Sequence, residues 1–124
     1  MAEAAEVQIN TFSDADFSRA FQWVINGVPF DFTDHGLLMM VRKQPDDVEV
    51  FVEVSTDDGD IIVYQSSPTT DGIPADIFKI TIRREQMADM PPGDYVHSLI
   101  LLRPDGLRED IFRGTLTHTH GPTR

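Results

Sequence analysis

The sequence has no cysteine and few basic residues, with 10 Lys and Arg against 21 Asp and Glu in 124 residues. The lack of cysteine excludes disulfides, thiolate chemistry and cysteine-based zinc sites. The formal net charge is −11. Because nucleic acids and anionic membranes are bound mainly through lysine and arginine, we expect neither as a partner. An acidic surface of this kind is well solvated and suits docking onto another protein.

Long apolar runs are also missing. No segment approaches the roughly 18 consecutive apolar residues of a membrane span. The chain begins MAEAAEVQIN, without a basic or strongly apolar region, so we expect no signal peptide and synthesis in a cytoplasm. What the chain does contain is 40% hydrophobic residues, including eight Phe, in a length that suits one domain with its own core.

Alternating polar and apolar residues predict β-strands through most of the chain. The clearest pattern is Val48–Ser55, in which valine occupies every second position. Period-2 alternation is typical of a half-buried strand. We expect this strand to form a hairpin with residues 61–65 across a turn at Asp57-Asp58-Gly59. Residues 76–83 alternate in the same way, and the apolar run Leu37–Arg42 predicts a strand that is buried on both faces or nearly so.

Two turns give the strongest local predictions. Asn26-Gly27 between apolar segments predicts a type I′ hairpin that joins residues 17–25 to residues 28–32. Pro104-Asp105-Gly106 suits a type I turn, in which a left-handed Gly106 supplies a bulge. This second turn is expected to join the apolar run 96–102 to the strand that follows it.

Together these patterns predict an all-β fold. We expect a single antiparallel β-sandwich of about 7–9 strands, with no helix of ordinary length. Residues 1–12 are expected to form a short N-terminal arm or an edge strand, because Val7, Ile9 and Phe12 alternate with polar residues. Residues 13–124 are expected to form the sandwich domain.

One group of histidines has the spacing of a metal site. His118 and His120 are two residues apart, and on a strand both side chains project from one face. His97 is a candidate third ligand. We favour the competing interpretation, in which these histidines are exposed side chains near the end of the chain and bind no metal.

A second candidate is the acidic segment Asp57-Asp58-Gly59-Asp60. It resembles a fragment of a calcium-binding loop, but the closing glutamate of such a loop is missing. We interpret these aspartates as turn-forming residues. No motif of a known catalytic or cofactor site is present, so we expect no enzymatic activity, no catalytic residues and no cofactor. Trp23, Phe17 and Phe21 are interpreted as core residues.

The order of several short motifs resembles that of a phage protein family. The motifs are Phe21-Gln22-Trp23, Pro29-Phe30-Asp31-Phe32-Thr33, Met39-Met40-Val41-Arg42, Pro92-Gly93-Asp94-Tyr95 with Leu99, Pro104-Asp105-Gly106, Gly114-Thr115-Leu116 and Thr123-Arg124. This order resembles the small β-sandwich domains encoded among tail-fibre and baseplate genes of tailed bacteriophages, the long-tail-fibre LtfC-like family. His97 departs from the pattern, because the family more often has an aromatic residue such as tyrosine there.

The resemblance implies an Ig-like sandwich that serves as a structural virion protein, such as a minor tail or baseplate component. Such a protein joins tail-fibre or receptor-binding proteins to the tail, or decorates the particle, and so takes part in virus assembly and host attachment. The expected partners are other virion proteins in a symmetric, multi-copy assembly, and the expected location is the virion tail. The family has no catalytic residues to carry over. The alternative is a carbohydrate-binding module of a phage adhesin, with Trp23 or Tyr64 as an exposed platform for a host surface glycan.

Overall fold

The structure, a computed structural model, describes residues 5–65 and 75–121. The strands in these ranges are β1 (Ala5–Glu6), β2 (Ile9–Phe12), β3 (Phe17–Phe21), β4 (Val24–Ile25), β5 (Val28–Pro29), β6 (Gly36–Arg42), β7 (Val52–Ser55), β8 (Ile61–Tyr64), β9 (Ile77–Ile82), β10 (Gly93–Leu102) and β11 (Arg108–Thr119). A 3-10 turn, Arg84–Met87, precedes β10. No helix in the two ranges has the length and apolar character needed to cross a membrane.

The strands form two main sheets that share one core. The larger sheet has the order β1-β11-β10-β6-β7, with β2 also paired to β11, and the smaller sheet has the order β3-β9-β8. Strands β4 and β5 form a separate hairpin. The pairs are antiparallel apart from those of β1 and β2 with β11, which are parallel. The prediction of an all-β, antiparallel sandwich is confirmed.

The strand order is that of an immunoglobulin-like domain with one added strand, β7. In immunoglobulin domains the last two strands share a sheet with the third strand, and the second, fourth and fifth strands lie in the other sheet. Here β11, β10, β6 and β7 make up the first set, and β3, β9 and β8 make up the second. The fold also has a tyrosine corner. Tyr95 is buried near the start of β10, and its hydroxyl donates to the Pro91 carbonyl oxygen at 2.6 Å.

Residues 5–12 lie in the larger sheet, on the outer side of β11. Ile9 and Thr11 are buried there, whereas Phe12 is 47% exposed. We expected Phe12 to continue the apolar alternation of Val7 and Ile9, and this expectation is wrong. Successive side chains point to opposite faces of a strand, so Thr11 shares the inner face with Ile9, and Phe12 points away.

The strand predicted at residues 48–55 is shorter than expected, and its partner is different. Val52–Ser55 pairs with β6, and Val48 is 96% exposed. Because β6 ends at Arg42, residues 48–50 have no opposing strand residues to pair with. Strand β8 pairs with β9 rather than with β7, so the turn at Asp57–Gly59 carries the chain from one sheet to the other.

The turn chemistry at Asn26-Gly27 is confirmed, although the strands around it are short. Asn26 and Gly27 have φ angles of 52° and 79°, the left-handed values that a type I′ turn requires. The turn joins β4 to β5, each of which has two residues. The preceding segment is interrupted after Phe21, because β3 pairs with β9 in the smaller sheet.

The second predicted turn is confirmed together with its bulge. Gly106 has a φ angle of 90°, and its amide donates to the Arg103 carbonyl oxygen at 2.9 Å. The Arg103 amide donates in turn to the Leu107 carbonyl oxygen at 2.9 Å. This is a type I turn closed by a left-handed glycine, and it joins β10 to β11 over the full length of β10.

Aromatic side chains connect the two sheets inside the core. The Phe21 ring on β3 stacks on Phe78 at 5.4 Å between centroids, and it contacts Phe112 on β11 at 5.1 Å. Antibody domains have a disulfide between the sheets. This chain has no cysteine, and dispersion and hydrophobic contacts of these rings join its sheets instead.

Candidate functional site

The histidines considered as metal ligands lie in different environments. His97 on β10 and His118 on β11 are buried, and His120 is exposed just beyond β11. The expectation of exposed side chains is therefore wrong for His97 and His118, because both strands continue through these positions and direct them into the sandwich. Within residues 5–65 and 75–121, no three His, Cys, Asp or Glu side chains are grouped closely enough to hold a metal ion.

Both buried histidines hydrogen-bond the N-terminal strand region. His97 Nε2 donates to the Val7 carbonyl oxygen at 2.8 Å, and His118 Nδ1 lies 2.9 Å from Thr11 Oγ1. The second ring nitrogen of each histidine is buried and has no partner in the described part of the chain. Burial lowers the pKa of both imidazoles, and His120 lowers the pKa of His118 further. Both rings are therefore neutral at pH 7, and they position residues 7 and 11.

Asp60 differs from the other aspartates of its segment. Asp57 and Asp58 are exposed in the turn, as expected of turn-forming residues. Asp60 is buried, and it accepts hydrogen bonds from Arg83 Nη1 at 2.6 Å and from Gln86 Nε2 at 3.2 Å. The interpretation as a turn former is wrong for Asp60, which joins the start of β8 to the 3-10 turn region.

The aromatic residues considered as sugar platforms are not equivalent. Trp23 is partly buried against the core, and its ring centroid lies 5.0 Å from that of Phe30. Phe17 and Phe21 are also partly buried against the core, as the core interpretation predicts. Tyr64 on β8 is 40% exposed.

The outer face of the larger sheet is a candidate site that the sequence analysis missed. Strands β6 and β10 alternate between buried residues and half-buried residues, and most of the half-buried ones are also apolar. These outward residues are Leu38, Met40, Val96, Ile100 and Leu102. The register places Leu38 opposite Ile100, so the two strands contribute to one surface. We call these five residues the outer apolar face.

This surface is unusual for a sheet that faces solvent. An antiparallel sheet with one free face ordinarily has polar residues there. In the described part of the chain, the smaller sheet covers only the inner face of β6 and β10. Contiguous apolar surface of this kind marks interaction sites. The sequence signal was present in the nearly continuous apolar composition of the two strands.

A cavity of about 460 Å³ adjoins the outer apolar face. Its lining includes Met40 and Arg42 from β6, Val96 and Ser98 from β10, and Arg113 and Thr115 from β11. The pairing register aligns these side chains in two rows across the three strands, Arg42–Val96–Thr115 and Met40–Ser98–Arg113. We call this space the Arg42 cavity.

The two arginines of the cavity differ in their partners. Arg113 Nη2 lies 2.8 Å from Asp110 Oδ2, and the two side chains form an ion pair. Arg42 Nε is buried and has no hydrogen-bond partner among the described residues. Arg42 Nη2 lies 3.5 Å from Met40 Sδ, which is a weak acceptor. The cavity therefore contains a guanidinium group with unused donor capacity.

The strand order and the tyrosine corner define the class as a β-sandwich domain of immunoglobulin-like architecture. No known family and no curated protein sequence matches the chain. Among solved structures, the soluble domain of PmoD from Methylocystis sp. is similar over 88% of this chain and 76% of its own, with 14% identity and a TM-score of 0.41. Murine CRIg is similar over 92% of both chains, with 12% identity and a TM-score of 0.38. Similarities this low carry no inference about function.

Proposed function

We propose that this protein is a structural, non-enzymatic component of a tailed bacteriophage virion. Its role is that of a β-sandwich adaptor, which joins tail-fibre or receptor-binding proteins to the tail. The observation that carries the adaptor role is the outer apolar face, because half-buried leucine, isoleucine and methionine on the outer face of a sheet favour protein docking. The virion setting is supported by the motif resemblance between residues 21 and 124.

The outer apolar face has the physical properties of a docking surface. Its residues lie on the two central strands, which are hydrogen-bonded on both sides and therefore already ordered before a partner binds. Polar side chains surround it, including Glu53 on β7, Arg113 on β11 and Asp110. An apolar centre with a polar rim is the usual composition of a protein interface. Docked partners in a symmetric tail would be present in several copies.

The carbohydrate-binding alternative has weaker support. A sugar platform needs an aromatic ring with an accessible face. Trp23 is partly buried and contacts Phe30, which leaves Tyr64 as the more exposed candidate.

The adaptor role can be tested with one substitution in each sheet. Ile100→Glu introduces a charge into the outer apolar face, whereas Ile62→Glu introduces the same charge on β8, where Ile62 is 46% exposed. Each variant replaces the natural protein in phage particles, and mass spectrometry of purified particles measures its copy number. We expect Ile100→Glu to lower incorporation at least about tenfold, because desolvating the new carboxylate in the interface is unfavourable, and Ile62→Glu to be incorporated normally.

Circular dichroism of both purified variants must first show a folded β protein. Absence of the unaltered protein from purified particles would overturn the virion role. Equal incorporation of the two variants would mean that docking does not use the outer apolar face.

A further inference from the structure

We propose that the Arg42 cavity binds a carboxylate group of the docked partner protein, on an acidic side chain or at a chain terminus. This inference rests on the proposed docking role of the outer apolar face, which the cavity adjoins. It assigns a chemical group of the partner to a defined position on the sheet.

Arg42 is the arginine whose buried Nε lacks a hydrogen-bond partner in the described ranges. Arg83, Arg103 and Arg113 form ion pairs with Asp60, Glu109 and Asp110 in the described ranges. Arg42 forms none there, and its buried Nε has no acceptor. A guanidinium group has five donors and no acceptor, and leaving a charged donor unpaired away from water is unfavourable. A ligand that supplies acceptor atoms to Arg42 therefore uses donor capacity that no described residue uses.

The Nε–Nη2 edge of Arg42 suits a carboxylate, and because Nε is buried, this edge becomes accessible when Met40 moves. Nε and Nη2 lie on one edge of the planar guanidinium, and two parallel N–H donors match the two oxygens of a carboxylate. Met40 Sδ is the present neighbour of Nη2. Methionine is flexible and adapts to a new neighbour at little cost, so it can move aside.

The remaining lining indicates what surrounds the carboxylate. The hydroxyl groups of Ser98 and Thr115 supply further donors, and Pro45 and Val96 supply apolar contact. The cavity volume of about 460 Å³ suits a small organic group, such as one amino-acid residue of a partner. An acidic residue beside an apolar one, or a terminal apolar residue, fits this combination.

The acidic residues of the lining restrict the charge of the ligand. Glu6 and Asp110 line the same cavity, and Asp110 already pairs with Arg113. A dianion such as phosphate would be repelled by both carboxylates, whereas one carboxylate can bind Arg42 with less repulsion. The site is therefore expected to prefer carboxylate over phosphate.

The proposal can be tested by nuclear magnetic resonance titration of the ¹⁵N-labelled protein. The probe is N-acetyl-leucine, which has one carboxylate and one apolar side chain, and the control is N-acetyl-leucinamide, which lacks the carboxylate. The Arg42 Nε–Hε signal reports directly on the proposed contact. We expect N-acetyl-leucine to shift this signal in a saturable way, with a dissociation constant on the order of a few millimolar, and the amide to leave it unchanged.

Variants distinguish Arg42 from general charge effects. Arg42→Gln should weaken binding of N-acetyl-leucine at least about tenfold, and Arg42→Lys should also weaken it, because lysine keeps the charge but loses the planar pair of donors. Arg84→Gln is the matched control, since Arg84 is 61% exposed in the 3-10 turn and does not line the cavity. It should bind as the unaltered protein does. The backbone spectrum of each variant shows whether it is folded.

Several outcomes would overturn the proposal. They are equal shifts with acid and amide, equal loss of binding in Arg42→Gln and Arg84→Gln, or a phosphate-induced shift as large as that of N-acetyl-leucine at the same concentration. If the titration fails while Ile100→Glu still blocks incorporation, the carboxylate site is wrong and the docking face stands. If the titration succeeds while Ile100→Glu is incorporated normally, the docking role is wrong, and assignment of the carboxylate to a partner on this face is wrong with it.

Discussion

His97 Nε2 donates a hydrogen bond to the Val7 carbonyl oxygen at 2.8 Å, and the lack of a side chain at Gly114 makes room for that oxygen. Gly114 lies directly opposite His97 in the β10–β11 register. A Cβ atom at position 114 would overlap the Val7 oxygen and lie 2.9 Å from the Val7 carbonyl carbon. Val7 lies in the link between β1 and β2. One histidine and one glycine therefore fix the path of the N-terminal strand region.

Acidification below about pH 6.5 should destabilise the protein. Burial lowers the pKa of His97 and of His118 in the folded state, whereas the unfolded chain has the ordinary value of about 6.5. Below that pH the unfolded state binds protons that the folded state does not. The free energy of unfolding should then fall by up to about 1.4 kcal/mol per pH unit for each histidine. Above about pH 6.5 this contribution to stability is complete.

Urea titrations at several pH values between about 7.5 and about 5 measure the slope of the free energy of unfolding against pH. This range lies above the pH values at which ordinary carboxylates titrate. His97→Gln keeps a donor for Val7 but cannot be protonated, so its slope should be smaller than that of the unaltered protein. An unchanged slope in His97→Gln would show that this residue is not responsible.

Gly114→Ala should destabilise the protein by about 1–3 kcal/mol. The added methyl group overlaps the Val7 carbonyl group, so the N-terminal strand must move outward and lose its bond to His97. Gly36→Ala is the control, because its Cβ would lie 3.4 Å from Leu102, an ordinary contact distance. Denaturant titration measures stability, and hydrogen exchange of the Val7 amide, which donates to the Arg113 carbonyl oxygen, reports strand release. Equal stability of the two variants would contradict this account.

Local sequence signals predicted the features that local geometry determines. The turns at Asn26-Gly27 and Gly106 need left-handed backbone angles, and the residues at those positions tolerate them. Strand partners were predicted less well. Asp57–Gly59 looks like a hairpin turn, but Asp60 pairs with Arg83, which is distant in sequence, and the following strand joins the other sheet. No local pattern distinguishes a turn within a sheet from a turn between sheets.

Only part of the candidate site could be predicted from the sequence. The apolar strand at Leu37–Arg42 was predicted to be buried on both faces or nearly so, but only its inward residues are buried, and its outward residues are half-buried. Which face meets the second sheet depends on the packing of the whole sandwich. The unpaired state of Arg42 and the burial of His118 depend on neighbours that are remote in sequence. Tyr95 was a sequence signal for the tyrosine corner. In antibody domains a cysteine follows this tyrosine by two residues, whereas this chain has His97 at that position.

Gly106→Val should destabilise the protein by roughly 1–3 kcal/mol. Gly106 has a φ angle of 90°, which strains a β-branched residue, whereas no heavy atom lies within 4 Å of the added Cβ position. The cost should therefore come from backbone conformation and not from crowding. Gly106→Asn tests this distinction in the same denaturant titration, because asparagine tolerates the left-handed region and should cost less. Equal losses in the two variants would contradict an origin in the φ angle.

Tyr95→Phe should lower stability by about 1–1.5 kcal/mol, and Tyr64→Phe should change it by less than about 0.5 kcal/mol. The Tyr95 ring is buried, and its hydroxyl donates to the Pro91 carbonyl oxygen at 2.6 Å. Burial raises the pKa of Tyr95, so the hydroxyl keeps the proton that this bond requires. Tyr64 is 40% exposed. Water therefore hydrogen-bonds to any group that loses its contact with the Tyr64 hydroxyl. Urea titration compares the two variants, and equal stabilities would mean that ring packing alone, including the contact with Phe51 at 5.1 Å, holds the corner.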